Sequence, residues 1–362
     1  MLRQFPRKIK RMVIKVGSSI IATDYMKPRT KELGSLVAQI CEIQKSGVDV
    51  VLVSSGAIVL GMGVLKQRTR NHDLSTLQAM AAIGQAQLMT KYAGLFKKHH
   101  SVCAQILLTW DDFDNRLRYN NARKTLEACF ENNAVPVVNE NDTISTEEIK
   151  FGDNDKLSAL VAGLVQADLL VILSDVEGFY NSQSPEKTVF REIEEITKEI
   201  EGHAGGSKNK HMSRGGMSAK LNAVKVATKA NVPAIIAHGE TENVLLRILK
   251  GERIGTFFME KSEKTLARKH WISFGAKPKG TLVIDDGARK AILKGGVSLL
   301  LPGVKSFDGH FKKDDVVVVR DEVGHEIARG IINYAITELN KMDEKKGRLE
   351  AIHCDDLVLS ER

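Results

Sequence analysis

The sequence predicts an α/β fold, a mainly parallel sheet covered on both faces by helices, followed by a smaller β-rich, barrel-like domain. Three observations carry this. Short apolar runs alternate with longer helical stretches through the first 240 or so residues, the pattern of strands joined by crossover helices. The strand-like runs are apolar almost throughout, as in strands buried on both faces. After residue 280 the long helices stop, and short strands with frequent glycine take over, which suits a small barrel.

The elements follow in order. Residues 12–16 (MVIKV) form a strand ending in Gly17-Ser18-Ser19. Residues 28–46 form a helix with Leu33, Leu36, Val37, Ile40 and Ile43 on one face, the spacing of an amphipathic stripe. Residues 48–53 are a second strand, running into Ser54-Ser55-Gly56-Ala57. A long helix rich in Ala, Gln, Leu and Met covers 74–96, and strands follow at 102–108 and 135–138. The fourth strand should stop where the polar residues Asn139, Glu140, Asn141 and Asp142 begin. A second polar cluster, Gly152-Asp153-Asn154-Asp155-Lys156, opens a buried helix at 157–165. Residues 167–173 are a strand ending in Ser174-Asp175, and a loop-rich segment runs on to Arg214. A helix at 216–230 and a strand at 232–237 complete the first domain. The domain boundaries expected are 1–260, a basic linker at 261–276 and a second domain at 277–362. That second domain holds strands at 282–284, 298–301, 316–320 and 326–332 and a short helix after Asp285.

Composition narrows the function classes. Four cysteines without a CxxC pair, no secretory leader and no membrane-length apolar run predict a soluble, cytoplasmic protein. Residues 277–362 carry 15 basic and 15 acidic side chains, so the net +8 of the chain resides in the first 276. A positive first domain attracts small anionic substrates. Part of the excess is Arg3, Arg7, Lys8, Lys10 and Arg11, at an end expected to fray.

Chemistry concentrates at the predicted strand ends, where open α/β sheets bind ligands. One carboxylate–amide cluster alone is explained by helix capping, but two joined by a short loop are not. Glycines at Gly17, Gly56 and Gly215-Gly216 let backbone N–H groups approach phosphate, although neither the P-loop nor the GxGxxG pattern is present. Lys15 interrupts an apolar strand, where an ammonium needs an anion, and Lys220 lies in the first turns of a helix. Lysines, glycine loops and carboxylates together point to phosphoryl transfer without a covalent enzyme intermediate. No Ser/His/Asp or Cys/His arrangement competes.

The segments VIKVGSS, VLVSSGAI, VPVVNENDTIS, FGDNDKLSALVA, LLVILSDVEGFY and GGMSAKLNAVKVA, in this order across residues 10–258, resemble the bacterial glutamate 5-kinases of the amino acid kinase superfamily. The tail, GTLVIDDGARKAILKGGVSLLLPGV and IARGIINY, is similar to the PUA domain many of them carry. The resemblance implies an αβα sandwich and ATP-dependent phosphorylation of the γ-carboxylate of L-glutamate, the first step of proline synthesis. It implies that Lys15 and Lys220 stabilise the transferring group, that Asp155 orients them, and that Gly17 and Ser18 contact phosphate. Ser55, Gly56, Ala57, Asp142 and Asn154 would line the glutamate site. Ser174, Asp175, Arg214, Gly215, Gly216, Met217, Ser218, Ala219 and Lys220, with Lys15, would hold ATP. Magnesium would ride on the ATP phosphates with no protein metal cage. Arg214 stands where the family usually has Thr, and its role as a phosphate grip competes with that of a solvent-facing arginine. The family also implies a homodimer or homotetramer and feedback inhibition by proline.

A carboxylate attacking ATP brings two anions together, which demands fixed positive charge. The acyl phosphate product demands exclusion of water, with residues 68–73 and 182–214 as lid candidates. The competing readings are a cousin kinase acting on N-acetylglutamate, aspartate, carbamate or UMP, and an RNA-binding role for the tail. The neutral charge balance of the tail argues against strong RNA backbone binding.

Overall fold

A computed structural model describes residues 2–23, 26–67, 73–145, 154–181, 188–204, 216–260, 272, 276–341 and 349–360. The chain divides into two compact units, one of residues 1–112 and 116–263, the other of residues 113–115 and 264–362.

The first unit is built on one sheet of eight strands: β1 (Arg11–Val16), β2 (Asp49–Ser54), β3 (Val102–Leu108), β4 (Ala134–Glu140), β5 (Leu169–Ser174), β6 (Glu192–Ile193), β7 (Ala234–His238) and β8 (Thr256–Phe258). Their spatial order is β3-β4-β2-β1-β5-β7-β8-β6. All neighbours from β3 to β7 run parallel, and β8 is antiparallel to β7. The helices are α1 (Ser18–Ile21), α2 (Thr30–Lys45), α3 (Ala57–Val64), α4 (Leu74–Lys98), α5 (Trp110–Asp114), α6 (Arg116–Glu131), α7 (Asn154–Leu164), α8 (Lys198–Ala204), α9 (Met217–Lys229) and α10 (Val244–Leu249).

Strand period two sorts the sheet's side chains between the faces. Met12, Ile14 and Val16 of β1, Leu52 of β2 and Val171 of β5 share a core with Leu36 and Ile40 of α2, Tyr92 of α4 and Leu245 of α10. Lys15 alternates to the opposite face, against which α7 packs with α9 beside it. The strand carrying Lys15 is central, between β2 and β5, so that lysine does not sit at a solvent-facing sheet edge. α2 buries the predicted stripe. α3 and α4 cross backbone to backbone: a Cβ on Gly84 would lie 1.7 Å from the Ala57 carbonyl oxygen, and one on Gly61 would lie 1.9 Å from that of Met80.

Three expectations are corrected. β4 runs on through Asn139 and Glu140, because both pair with Leu107 and Leu108 of β3. The N-terminus is anchored rather than frayed. Arg3 is buried, its guanidinium donates to the carbonyls of Ile254 at 3.3 Å and Arg191 at 3.5 Å, and it sits over the Phe257 ring. Burial lowers its pKa to about 10. Within the segment read as loop, residues 188–204 contain β6 and α8. Short α3, α8 and α10 escape the periodicity analysis by length. α6 escapes it because it buries only Tyr119 and Leu126 and so has no continuous apolar face.

The second unit has a five-stranded sheet in the order β11-β9-β12-β13-β15, from β9 (Gly280–Ile284), β11 (Val304–Gly309), β12 (Val316–Arg320), β13 (Glu326–Ile331) and β15 (Leu357–Leu359). A second pair joins β10 (Leu299–Leu300) to β14 (Glu350–Ile352). Its core holds Leu282, Ile284, Phe311, Val317, Val319 and Ile352. Helix α11 (Asp286–Leu293) is capped by the Asp285 carboxylate, which accepts from Ala288 N–H at 2.7 Å. No helix of the described residues is long and apolar enough to cross a membrane.

Candidate active site

The chain leaves β1 toward β2 on one side, whereas β5 and β7 lie on the other. That reversal, between β1 and β5, is the crevice in which such sheets hold ligands. The predicted residues assemble there, at the carboxyl ends of the parallel strands. Gly17 and Ser18 follow β1, Ser55, Gly56 and Ala57 follow β2, Asp142 follows β4, and Ser174 and Asp175 close β5. Asn154 and Asp155 open α7, and Gly216 to Lys220 open α9.

At the centre one carboxylate holds two ammonium groups. Asp155 is fully buried, with Oδ1 in contact with the Lys15 ammonium and Oδ2 3.4 Å from that of Lys220. Both lysines are themselves nearly buried. Among the described contacts two cations face this one anion in a desolvated setting, where Coulomb interactions are strong. The triad also joins three elements, β1, α7 and α9, through charge-assisted contacts.

The glycines keep space open above these cations. A Cβ on Gly17 would meet only ordinary neighbours, Leu173 O at 3.7 Å and Lys15 Nζ at 3.9 Å, and one on Gly216 would meet nothing within 4 Å. Neither glycine has a positive φ, so their conformations do not require glycine. Gly56 does, at φ +95°, and a Cβ there would come within 2.9 Å of Ile21. Gly17→Ala is therefore expected to leave the melting temperature within about 1 °C while raising the KM for ATP severalfold, because the methyl would occupy the space beside Lys15 that the resemblance gives to phosphate. Thermal melting and ATP saturation kinetics check this.

Next to the cationic centre lies an acidic corner. Glu140 is buried and accepts from the Ser145 hydroxyl at 2.7 Å. Half-buried Asp142 is pushed up to about 7 by burial first and by the Glu140 charge second. This corner offers a counter-charge to a ligand ammonium.

A chain of buried amides, of which sequence reasoning missed Gln85, connects the acidic corner to the lysines. Asn154 Nδ2 donates to the Ser54 carbonyl and to Asn139 Oδ1, each at 2.7 Å. Asn139 Nδ2 donates to Gln85 Oε1 of α4, also at 2.7 Å. Asn154 thus uses its side chain across the crevice and not as a cap. Ser54, rather than its neighbour Ser55, is the buried hydroxyl, 2.9 Å from Tyr92 OH. Ser174 Oγ donates to Asp175 at 2.9 Å, and Ser218 Oγ donates to the Ala204 carbonyl at 3.1 Å, tying α9 to the end of α8. Gly152, Asp153, Arg214, Gly215 and the loop positions 68–72, 182–187 and 205–213 lie outside the described residues.

Comparison with known proteins agrees with the geometry. The family model described as "Amino acid kinase family" matches residues 10–238, and that of the PUA domain matches residues 280–352. A protein named glutamate 5-kinase from Dictyoglomus thermophilum is 45% identical over 368 residues, covering 98% of this chain and 98% of its own. One of the same name from Citrifermentans bemidjiense is 41% identical, covering 99% of this chain and 100% of its own. Among solved structures, an N-acetylglutamate synthase from Neisseria gonorrhoeae superposes with TM-score 0.51 at 15% identity over 70% of this chain and 60% of that one, a likeness of fold. Motif order, the triad at the sheet's reversal and full-length relatives place this chain in the amino acid kinase family, as a two-domain relative of the glutamate 5-kinases with a PUA domain.

Proposed function

We propose that this protein transfers the γ-phosphoryl group of ATP to the side-chain carboxylate of L-glutamate, giving glutamyl 5-phosphate, the opening step of proline synthesis. The observation that carries the reading is the Lys15–Asp155–Lys220 triad beside the acidic corner of Glu140 and Asp142. One half of the crevice suits phosphate and the other suits an amino acid's ammonium.

The division of labour follows from charge. Lys15 and Lys220 sit where negative charge grows as carboxylate and γ-phosphoryl approach in line, and their preorganisation removes the need for solvent to reorient. Asp155 holds both ammonium groups in place and does not touch substrate. Gly17, Ser18 and Gly216 leave backbone N–H groups and open space for the phosphates, with Ser174, Asp175 and the start of α9 beside the nucleotide. Asp142 takes the α-ammonium of glutamate, and Ser55, Gly56, Ala57 and Asn154 complete that pocket. Magnesium would be held by the ATP phosphates and would neutralise part of their charge. Asp155 is not a ligand for it, since both its oxygens face ammonium groups.

An ATP-dependent hydroxamate assay across L-glutamate, N-acetyl-L-glutamate, L-aspartate and carbamate, with UMP phosphorylation followed separately, tests the assignment. Product with L-glutamate alone is expected, and a preference for any other acceptor overturns it. Every residue assigned a role belongs to the first unit, so a fragment ending at Glu260 is expected to retain glutamate-dependent turnover within about tenfold. A folded but inactive fragment, judged by circular dichroism and the same assay, would show that the PUA domain takes part in catalysis.

A further inference from the structure

We propose that Gln85 is a positioning residue for phosphoryl transfer, fixing the start of α7, and with it Asp155 and its two lysines, through Asn139 and Asn154. The inference rests on the functional reading above, and it concerns a side chain on a helix that touches none of the proposed reacting atoms.

The polarity of the amide chain is set by two backbone groups. Glu140 N–H donates to Asn139 Oδ1 at 2.9 Å, and the Ser54 carbonyl accepts from Asn154 Nδ2 at 2.7 Å. A backbone N–H only donates and a carbonyl only accepts. Asn139 must therefore turn its oxygen toward Glu140 and Asn154 and its nitrogen toward Gln85. Gln85 must in turn present Oε1. Its Nε2 is left as a buried donor without a hydrogen-bond partner. Leaving a buried donor unmatched is unfavourable, which makes Gln85 a poor choice for packing alone. Gln85, Asn139 and Asn154 are 9%, 2% and 6% exposed.

The placement of Gln85 is rigid. The preceding residue, Gly84, presses against the Ala57 carbonyl so closely that no side chain fits between them. Gln85 also belongs to a polar row on α4, seven residues apart, so one face of the helix recurs. Gln78 Nε2 donates to the Ser145 carbonyl at 3.2 Å, Gln85 accepts from Asn139, and Tyr92 OH lies 2.9 Å from Ser54 Oγ. The three contacts reach the loop after β4, the last residues of β4 and the end of β2. They hold the strand ends that build the pocket at fixed height above the sheet. Asn154 is covalently next to Asp155, so a shift of the amide chain moves the carboxylate that aligns both lysines. Misplacement of about 1 Å costs on the order of 10²-fold in rate.

The test compares Gln85→Met, similar in shape but without an acceptor for Asn139, with Gln85→Glu, which keeps an acceptor oxygen in either protonation state. Turnover at saturating ATP and glutamate is measured at pH 8 beside wild type, with thermal melting of each protein. Gln85→Met is expected to lose about tenfold or more in kcat, and Gln85→Glu to stay within about threefold of wild type. Unchanged kcat per folded molecule in Gln85→Met, even with a lower melting temperature, would leave Gln85 a purely structural residue and overturn the inference. Loss in Gln85→Glu equal to that in Gln85→Met would overturn it too. If Gln85→Met does not fold, Gln85→Glu decides alone: retained kcat supports the inference and lost kcat refutes it. Wild-type protein inactive on glutamate would instead refute the functional reading, so the two failures are distinct.

Discussion

Replacing Lys220 with alanine is expected to lower kcat about 10²–10³-fold, the loss of roughly 2.7–4 kcal/mol that accompanies removal of one preorganised charge-stabilising donor. The fold should survive, because Asp155 retains Lys15 in direct contact when Lys220 is gone. Lys15→Ala should act similarly on turnover. The KM values should move much less than kcat, since charge on the transferring oxygens rises as the bond to the leaving group breaks. The double variant should lose less than the product of the two single losses, because both lysines are held by one carboxylate and act as a unit. Asp155→Ala differs in kind. It removes the only side chain paired with both ammonium groups among the described contacts, and breaking a buried pair from one side costs about 3–5 kcal/mol. That variant is expected to melt markedly lower, which Lys220→Ala is not. Near-normal turnover in Lys220→Ala, at matched folded concentration, would remove the triad from the mechanism.

The second large effect is on acceptor choice. Wild type is expected to prefer L-glutamate over N-acetyl-L-glutamate by at least 10²-fold in kcat/KM. The acetyl group removes the ammonium and leaves Asp142 without its counter-charge in a half-buried corner, where an unmatched charged group costs more than the about 1–3 kcal/mol of a neutral one. Asp142→Asn should weaken use of glutamate and narrow the gap. The pH dependence has a defined sign. With the Asp142 carboxyl pushed up to about 7 by burial and by Glu140, the free enzyme carries a proton there at mildly acidic pH. Ammonium binding needs the ionised form, so the KM for glutamate should rise as pH falls from 8 to 6, and the rise should vanish in Asp142→Asn. Linkage gives the opposite direction for stability without substrate. A carboxyl whose pKa is raised on folding contributes most below its unfolded value near 4, and that contribution is lost as pH rises through about 7. The unliganded Asp142→Asn protein should thus gain stability relative to wild type at pH 8 and lose that advantage toward pH 4. A flat pH profile in wild type, or equal use of both acceptors, would remove Asp142 from ammonium recognition.

Residues that break a local rule were the legible part of the site. Lys15 violates an expectation of the apolar strand it occupies, Asp155 belongs to a second carboxylate–amide cluster that capping alone does not explain, and the structure brings them into contact. The parallel order of the sheet was legible for the same reason, since its strands are nearly pure Val, Ile and Leu. Gln85 and Tyr92 broke no rule. Glutamine and an aromatic are ordinary within a helix as rich in Ala, Gln, Leu and Met as α4, and only the register between that helix and the strand ends gives them partners. Asn139 was noticed as polar but assigned to the wrong side of a boundary. Its ladder partner, β3, alternates less strictly and is only half covered. The edge strands β6 and β11, and β8 next to β6, are short or polar, so their pairing is not legible from their own sequence.

The anchoring of Arg3 has a consequence for synthesis on the ribosome. Its guanidinium binds the carbonyl of Ile254, 251 positions further along the chain, and β1 obtains its second neighbour only when β5 has been made. At ribosomal speeds of 5–20 residues per second, the first residues wait on the order of 13–50 s for their last partner. Until β5 has been made, about 80 residues before Ile254, the strand bearing Lys15 is an open-sided ribbon. The first unit is therefore expected to become fully resistant to proteases only after Ile254 has been made.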